Sequence, residues 1–351
     1  MLTIKRKKCI LQKEIRLTIK RKVKEERAMI QLANEIIAGR RLTGEDDLAV
    51  FLTADLEELC KGADSIRAGL CGEKADLCSI INGRGGRCSE NCKFCAQSAH
   101  HHTGCEEHGF LSAEELLEGC KSSRENGIDR YSIVTAGRTL EGADLEKALA
   151  AYKKMHETYP EMKFCASHGL MKEEDIRKLY EAGVTMYHSN VETSEHYFPE
   201  ICTTHTYEDK KEEIRRAKAA GMTICSGGIL GMGESWQDRL EMAAFLAEMK
   251  VDSIPLNFLI PIPGTPLGEQ KPLEQEEILR IVAIFRYLNP MAYIRIAAGR
   301  NYFSDGGKAL FLSGANATIT GDMLTTTGQN TAQDRDMLEN LGFRLKAAKS
   351  A

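Results

Sequence analysis

Three cysteines fall within eight residues, in the run Cys88-Ser-Glu-Asn-Cys92-Lys-Phe-Cys95. Thiolates this close on one loop can converge on a single metal centre. Their spacing, C-x3-C-x2-C, differs from the paired C-x2-C knuckles of structural zinc sites. Three thiolates also leave one iron of a [4Fe–4S] cluster without a protein ligand, and a small molecule can chelate that iron. The competing reading is a three-thiolate zinc site completed by His100, His101 or His102 just downstream.

Such a loop needs a scaffold, and the chain supplies one by alternation. From Leu77 onward, short β-branched runs alternate with amphipathic stretches rich in Glu, Lys and Ala. Strands are predicted at Leu77–Asn82, Arg130–Ala136, Met162–Ser167, Val184–Glu192, Met222–Leu230, Ser253–Ile260, Tyr293–Ala298 and Ala309–Ile319. Helices are predicted between most of them, among them Ala113–Asn126, Leu145–Tyr159, Lys172–Ala182, Glu208–Ala220, Trp236–Met249 and Glu274–Leu288. Eight βα units over roughly 250 residues predict a closed (β/α)8 barrel of the α/β class. A doubly wound open sheet is the competing architecture, and the lack of a G-x-G-x-x-G after the first strand counts against it. In a barrel the cysteine run occupies the first βα loop, on the face where such barrels carry their active sites.

Residues 29–70 read as a helical prelude. Leu32, Ile36 and Ile37 recur at helical spacing, and Thr43-Gly-Glu-Asp-Asp reads as the start of a second helix. The barrel is assigned residues 71–345, and 346–351 a short tail. Of the 351 residues, 42% are hydrophobic and 28% charged, which suits one large core and excludes global disorder. No apolar run approaches the ~18 residues of a membrane span. The N-terminus has no apolar stretch of secretory type, so the cytoplasm is the expected compartment. There, twelve cysteines are not expected to form structural disulfides.

Residues 1–28 stand apart. They carry a net +8 in a chain of net −4, leaving the body at −12, which argues against nucleic-acid binding as the main task. The hexamer LTIKRK occurs twice, at Leu2–Lys7 and Leu17–Lys22. It reads either as a basic helix for a membrane surface or RNA, or as an upstream extension with Met29 the natural start.

C-x3-C-x2-C with an aromatic, here Phe94, before the last cysteine resembles the radical S-adenosylmethionine superfamily. From about Asp76 to Phe343 the chain resembles the biotin synthase family. The segments that carry the likeness are Cys88–Ser98, Tyr187–Ser194, Thr203–Tyr207, Cys225–Glu234, Ser253–Leu259, Gly264–Leu267, Ile294–Arg300, Ser313–Asn316 and Leu324–Thr326. The resemblance implies a sulfurtransferase that inserts sulfur into dethiobiotin at C9 and then C6. S-adenosylmethionine would bind a [4Fe–4S] cluster on Cys88, Cys92 and Cys95, and with Arg295 these are the implied catalytic residues.

The likeness also implies a set of contacts. S-adenosylmethionine would meet Phe94, Asn190, Glu192, Lys210, Ile229 and Gly231. The substrate's ureido ring would meet Asn190 and Asn257, and its carboxylate tail Thr325 and Thr326. Two departures stand out: Glu192 replaces the usual Asp, and Lys210 stands where an Arg is usual, keeping charge but losing the bidentate fork. Asn190 and Glu192, two apart on a predicted strand, would point to one face. The glycines from Gly227 to Gly231 permit close backbone approach to a flat ligand, and equally serve a tight turn.

The family further implies an auxiliary iron–sulfur cluster deep in the barrel. Cys165, Cys225 and Arg295 match its ligands, but the second strand offers Ser132 where a cysteine belongs. Neighbouring barrel strands lie ~4.8 Å apart, so Cys78 on the first strand can serve instead. The expected site is therefore Cys78, Cys165, Cys225 and Arg295, holding a [2Fe–2S] or a four-iron cluster. Cys9, Cys60, Cys71, Cys105, Cys120 and Cys202 read as core or surface thiols. A flavodoxin- or ferredoxin-type electron donor and a homodimer are implied as well, with no nucleic-acid or membrane partner. Hydrogenase maturation and methylornithine enzymes would share the triplet and barrel. A zinc-binding module and a catalytically dead homologue are the readings of other classes.

Overall fold

The structure, a computed structural model, describes residues 28–321 and 330–348. The reading of residues 1–28 thus lies, but for Ala28, outside the described residues, as do Thr325 and Thr326.

The strands are β1 Asp76–Arg84, β2 Arg130–Thr135, β3 Lys163–Ser167, β4 Val184–His188, β5 Thr223–Cys225, β6 Gly228–Leu230, β7 Ser253–Phe258, β8 Tyr293–Ile296 and β9 Ala317–Ile319. All pair in parallel, in the order β5-β4-β3-β2-β1-β9-β8-β7-β6, and β5 returns to β7 through Cys225 and Ser253. β5 and β6 are two halves of one stave, so the ring closes as an eight-staved (β/α)8 barrel. An open doubly wound sheet is thereby excluded. Three of the helices between staves begin on strong caps. Ser112, Thr206 and Ser235 each form a capping box with the acid three residues on, satisfying two otherwise orphaned N–H groups per helix. Among the described residues no helix is long and apolar enough to cross a membrane.

Three predicted boundaries differ. The predicted strand Ala309–Ile319 is a short helix, Lys308–Phe311, followed by β9. Gly307 at φ +86° turns the chain into that helix, and Leu310 and Phe311 are buried by it. The fourth strand stops at His188, so Asn190 and Glu192 lie beyond it. Thr43 opens a turn, with its N–H on Asp46 at 2.8 Å, and the long prelude helix begins later, at Leu56 under an Asp55 cap.

Register sets which side chains meet inside the ring, because alternate residues of a strand point inward. Asp76 of β1 and Arg295 of β8 both pair with Ala317, on its two sides. The small side chain there leaves room for the two to meet. Cys78 stands level with Arg130, and Ser132 level with Cys165.

The break between β5 and β6 is a packing device. A Cβ on Gly227 would sit 2.0 Å from the Pro255 carbonyl oxygen, and one on Gly228 would sit 2.2 Å from the Glu192 carbonyl oxygen. These glycines bring backbone to backbone within the fold. Gly231 answers to a different need, a φ of +97°. Gly228→Ala is expected to destabilise the cluster-free protein by about 1–3 kcal/mol, because the Glu192 main chain must move. An unchanged urea midpoint would show that the contact is dispensable.

Candidate functional site

A cavity of about 270 Å³ runs inside the barrel below the cysteine loop. Cys78, Arg130, Cys165, Cys225 and Arg295 line its lower part, with Ser132 on the wall. Phe94, Cys95, Asn190, Glu192, Ile229 and Asn257 line it nearer the loops. Lys210, Gly231, Cys88 and Cys92 do not line it.

The lower part is built on a carboxylate. Asp76, fully buried, accepts from Arg295 Nη2 at 2.5 Å and from Arg130 Nε at 2.9 and 3.1 Å. Burial alone would raise its carboxyl, but the two guanidinium groups hold it below the usual range. Arg295 also donates to Ser253 Oγ at 3.2 Å and to the carbonyls of Asp76 and Thr318 at 3.2 and 3.0 Å. Four of its five N–H groups are thus directed at fixed protein acceptors. Asp76 and Arg130 were missed in the sequence. Their signal was the inward alternation on β1 and β2, Asp76-x-Cys78 and Arg130-x-Ser132.

Cys78, Cys165 and Cys225 come from three staves; Cys78 feels the charge of Arg295, Cys165 and Cys225, and Cys165 that of Arg130, Cys225 and Arg295. Burial pushes the Cys165 thiol up to about 11, against the pull of Arg130, and raises Cys78 and Cys225 as well. Buried thiols of this kind are poor acids in water but yield their protons to a metal ion. Three such thiols beside two guanidinium groups fit an iron–sulfide group, whose thiolate and sulfide ligands bring negative charge. Ser132 faces the same space but offers only a hydroxyl.

Asp76→Asn removes the carboxylate charge that balances two buried cations, so a loss of about 3 kcal/mol is expected. Urea unfolding of the cluster-free protein measures it, and a midpoint equal to that of the unaltered chain would remove Asp76 from this role.

Above, the triplet loop closes on itself. Cys88 N–H donates to the Gln97 carbonyl at 2.9 Å and the Cys88 carbonyl accepts from Ala99 N–H at 2.8 Å. Lys93 N–H ties the loop to the Ile201 carbonyl at 2.9 Å. Burial lifts the Cys95 thiol to about 11. The imidazoles of His100 and His101 lie 3.0 Å from the carbonyls of Ser89 and Cys92. Both are thus engaged with the backbone through Nε2. Cys202, read as an unassigned thiol, stands 3.7 Å from Cys92.

Asn190 and Glu192 reach the cavity from a loop, not a strand. Glu192 adopts φ +69°, and its main chain bridges to Gly228. Asn190 accepts from Gly227 N–H at 3.1 Å and donates to Glu192 at 3.3 Å. Burial raises the Glu192 carboxyl, with Lys210 and His188 pulling it down. Lys210 is therefore near in charge, from its half-buried place in helix Tyr207–Ala219. His188, which the sequence reading passed over, lines the cavity, and burial lowers it to about 4. Asn257 donates to the Gly228 carbonyl at 3.2 Å and accepts from Ala298 N–H at 3.3 Å, leaving one amide hydrogen. The Gly231 turn is held by Glu234, which accepts from Gly231 and Met232 N–H at 2.8 and 2.7 Å.

Comparison with known proteins accords with this geometry. Residues 84–246 match the profile of the radical SAM superfamily, and residues 255–344 that of the biotin and thiamin synthesis associated domain. The biotin synthase of Clostridium beijerinckii is 58% identical over 317 residues, 90% of this chain and 100% of the relative. That of Alkaliphilus metalliredigens is 57% identical over 90% and 99% of the two chains, and that of Brachyspira hyodysenteriae 46% over 92% and 97%. Among solved structures, a methylornithine synthase superposes with a TM-score of 0.77 at 20% identity, covering 90% of this chain and 98% of its own. A maturase of the [FeFe]-hydrogenase gives 0.75 at 16%, covering 94% and 78%. At such identities the two structures speak for the fold alone.

Proposed function

We propose, for a chain that belongs to the biotin synthase family of radical S-adenosylmethionine enzymes, that its cavity is divided into an upper site for radical generation and a lower site for sulfur supply. The overall reaction is conversion of dethiobiotin to biotin with S-adenosylmethionine. One observation carries the division: Cys78, Cys165, Cys225 and Arg295 share a single cavity with Phe94, Asn190, Glu192 and Asn257. When bound, a [4Fe–4S] cluster on Cys88, Cys92 and Cys95 supplies the electron that cleaves S-adenosylmethionine, and an auxiliary cluster on the lower residues supplies sulfur for C9 and then C6.

The remaining work falls to the chain. Glu192 and Asn190 hold the ribose, Phe94 and Ile229 flank the adenine at the Gly231 turn, and Lys210 pairs with the methionine carboxylate. Asn190 and Asn257 orient the ureido ring through the hydrogen-bonding capacity they retain. Thr325 and Thr326 take the carboxylate tail on the strength of the family likeness. Ile80, Val134, Met186 and Leu259 give the cavity apolar walls that keep water from a carbon radical. A free thiol on that wall would be a hydrogen donor able to quench the radical. A ligand role for Cys78 removes its S–H, which favours Cys78 as a ligand over Cys78 as an idle core residue.

The auxiliary group is a [2Fe–2S] or a four-iron cluster. A flavodoxin- or ferredoxin-type electron donor, a homodimer and a cytoplasmic location belong to the same proposal. Anaerobic reconstitution tests it by iron and sulfide content and Mössbauer spectra. About eight iron atoms per chain mean a four-iron auxiliary group and about six a [2Fe–2S] one. Cys78→Ala is expected to lose the auxiliary iron alone, together with biotin formation, whereas Ser132→Ala keeps both clusters. If Cys78→Ala retains both clusters and still makes biotin, Cys78 is not a ligand.

A further inference from the structure

Cys92 and Cys202 lie 110 positions apart in the chain, yet their sulfurs are 3.7 Å apart. The two segments that carry them are stitched together on both sides of the pair. On one side, Asn91 N–H donates to Thr204 Oγ1 at 3.1 Å, and Asn91 Oδ1 accepts from Thr203 N–H at 3.0 Å. On the other, Lys93 N–H donates to the Ile201 carbonyl at 2.9 Å. Cys92 and Cys202 therefore face each other across two bonded segments, which cannot part without losing several hydrogen bonds.

The pairing is close to that of a disulfide before its bond is made. A sulfur–sulfur bond of about 2.05 Å asks the two atoms to close by about 1.7 Å, a displacement within reach of side-chain rotation. Exposure divides the labour. Cys92 is half-buried and so open to a small oxidant, whereas Cys202 is buried. Cys202 is also held in place, its sulfur 3.4 Å from Asn91 Oδ1 and 3.5 Å from Thr204 Oγ1.

We propose that Cys92 and Cys202 are a thiol–disulfide pair: in the cluster-free chain a low-molecular-weight disulfide, RSSR, oxidises them to a Cys92–Cys202 bond, which small thiols reverse. In the first step the Cys92 sulfur gives up its proton and attacks RSSR. A mixed disulfide forms on Cys92, the S–S bond of RSSR breaks, and one RSH leaves with the proton. In the second step the Cys202 sulfur gives up its proton and attacks the Cys92 sulfur, and the second RSH leaves. Two cysteines are oxidised, and one small disulfide is reduced to two thiols. The bond rests on these two cysteines alone. Its mutual exclusion with a [4Fe–4S] cluster, which needs Cys92 as a ligand, rests on the triplet's proposed role. A bond of this kind is transient and reducible, as reducing compartments allow, and it shields a ligand thiol from irreversible oxidation until iron arrives.

Oxidised glutathione added to the anaerobic, cluster-free, full-length chain tests the pair. Free thiols are then alkylated and the proteolysed chain is mapped by mass spectrometry. A peptide pair joined through Cys92 and Cys202 is expected, and dithiothreitol should release it. Cys88→Ser should keep that link. Cys202→Ser should instead hold glutathione on Cys92, because the resolving thiol is gone. Far-UV circular dichroism checks the fold of that variant, and the map of the unaltered chain carries the test if the variant does not fold. In the unaltered chain, Cys92 linked to Cys88 or Cys95, held by glutathione, or left free overturns the proposal. The cluster-loaded chain separates this inference from the reading of function. A yield of the link at least about tenfold lower there than in the cluster-free chain is expected, because a ligated sulfur is not free to attack. An equal yield in both leaves the disulfide standing and removes Cys92 from the cluster.

Discussion

A single buried carboxylate organises the interior of this barrel. Asp76 receives hydrogen bonds from Arg295 and Arg130, which come from staves on different sides of β1. Without it two guanidinium charges would lie buried and unpaired, at a cost of several kcal/mol. With it, Arg295 is pinned in one orientation by four hydrogen bonds and its charge is set among three thiols. The sum of formal charges explains the arrangement. Three thiolates and one carboxylate against two guanidinium groups leave two negative charges, which a doubly positive iron–sulfide core would neutralise. Ordinary cores avoid such a set, because buried charges are rare unless paired.

The upper half solves a different problem, which is to bring loop residues to the same cavity. The fifth stave breaks at Ser226-Gly227, and through the gap the Glu192 main chain pairs with Gly228. Asn190 caps the break by accepting from Gly227 N–H. The glycines thus act at one remove: they admit the backbone that carries Glu192, and Glu192 faces the cavity. Rigid staves hold the lower residues and loops hold the upper ones. This suits a floor that must fix a multi-atom group and a mouth that must admit small molecules.

Much of this was legible in the residues. The triplet announced itself by spacing, and the alternation of short apolar runs with amphipathic stretches yielded seven staves to within a few residues. Ala309–Ile319 misled because Ala, Leu and Phe suit a helix flank as well as a strand, and only the turn at Gly307 decides between them. Asn190 and Glu192 do reach one cavity, but by a left-handed residue in a loop and not by strand alternation. Asp76 and Arg130 were hidden because a charged residue in a strand ordinarily faces water. Their meaning depends on partners more than fifty residues away. Cys202 was hidden for the same reason, since its neighbour Cys92 lies 110 positions away.

The replacement of a second-strand cysteine by Ser132 can be understood against this background. Ser132 stands level with Cys165, whereas Cys78 stands level with Arg130. A third thiol at Cys78 stands on the neighbouring stave, level with Arg130, while Arg295 stands level with Asp76 across Ala317. Cys78 feels Arg295 more strongly than any other charge, and Asp76 lies two residues before it on the same strand. A thiolate at Cys78 gains directly from the cation that Asp76 fixes. The carboxylate, the arginine pair and Cys78 form one electrostatic unit, and a change at any one of them alters the field in which the others sit.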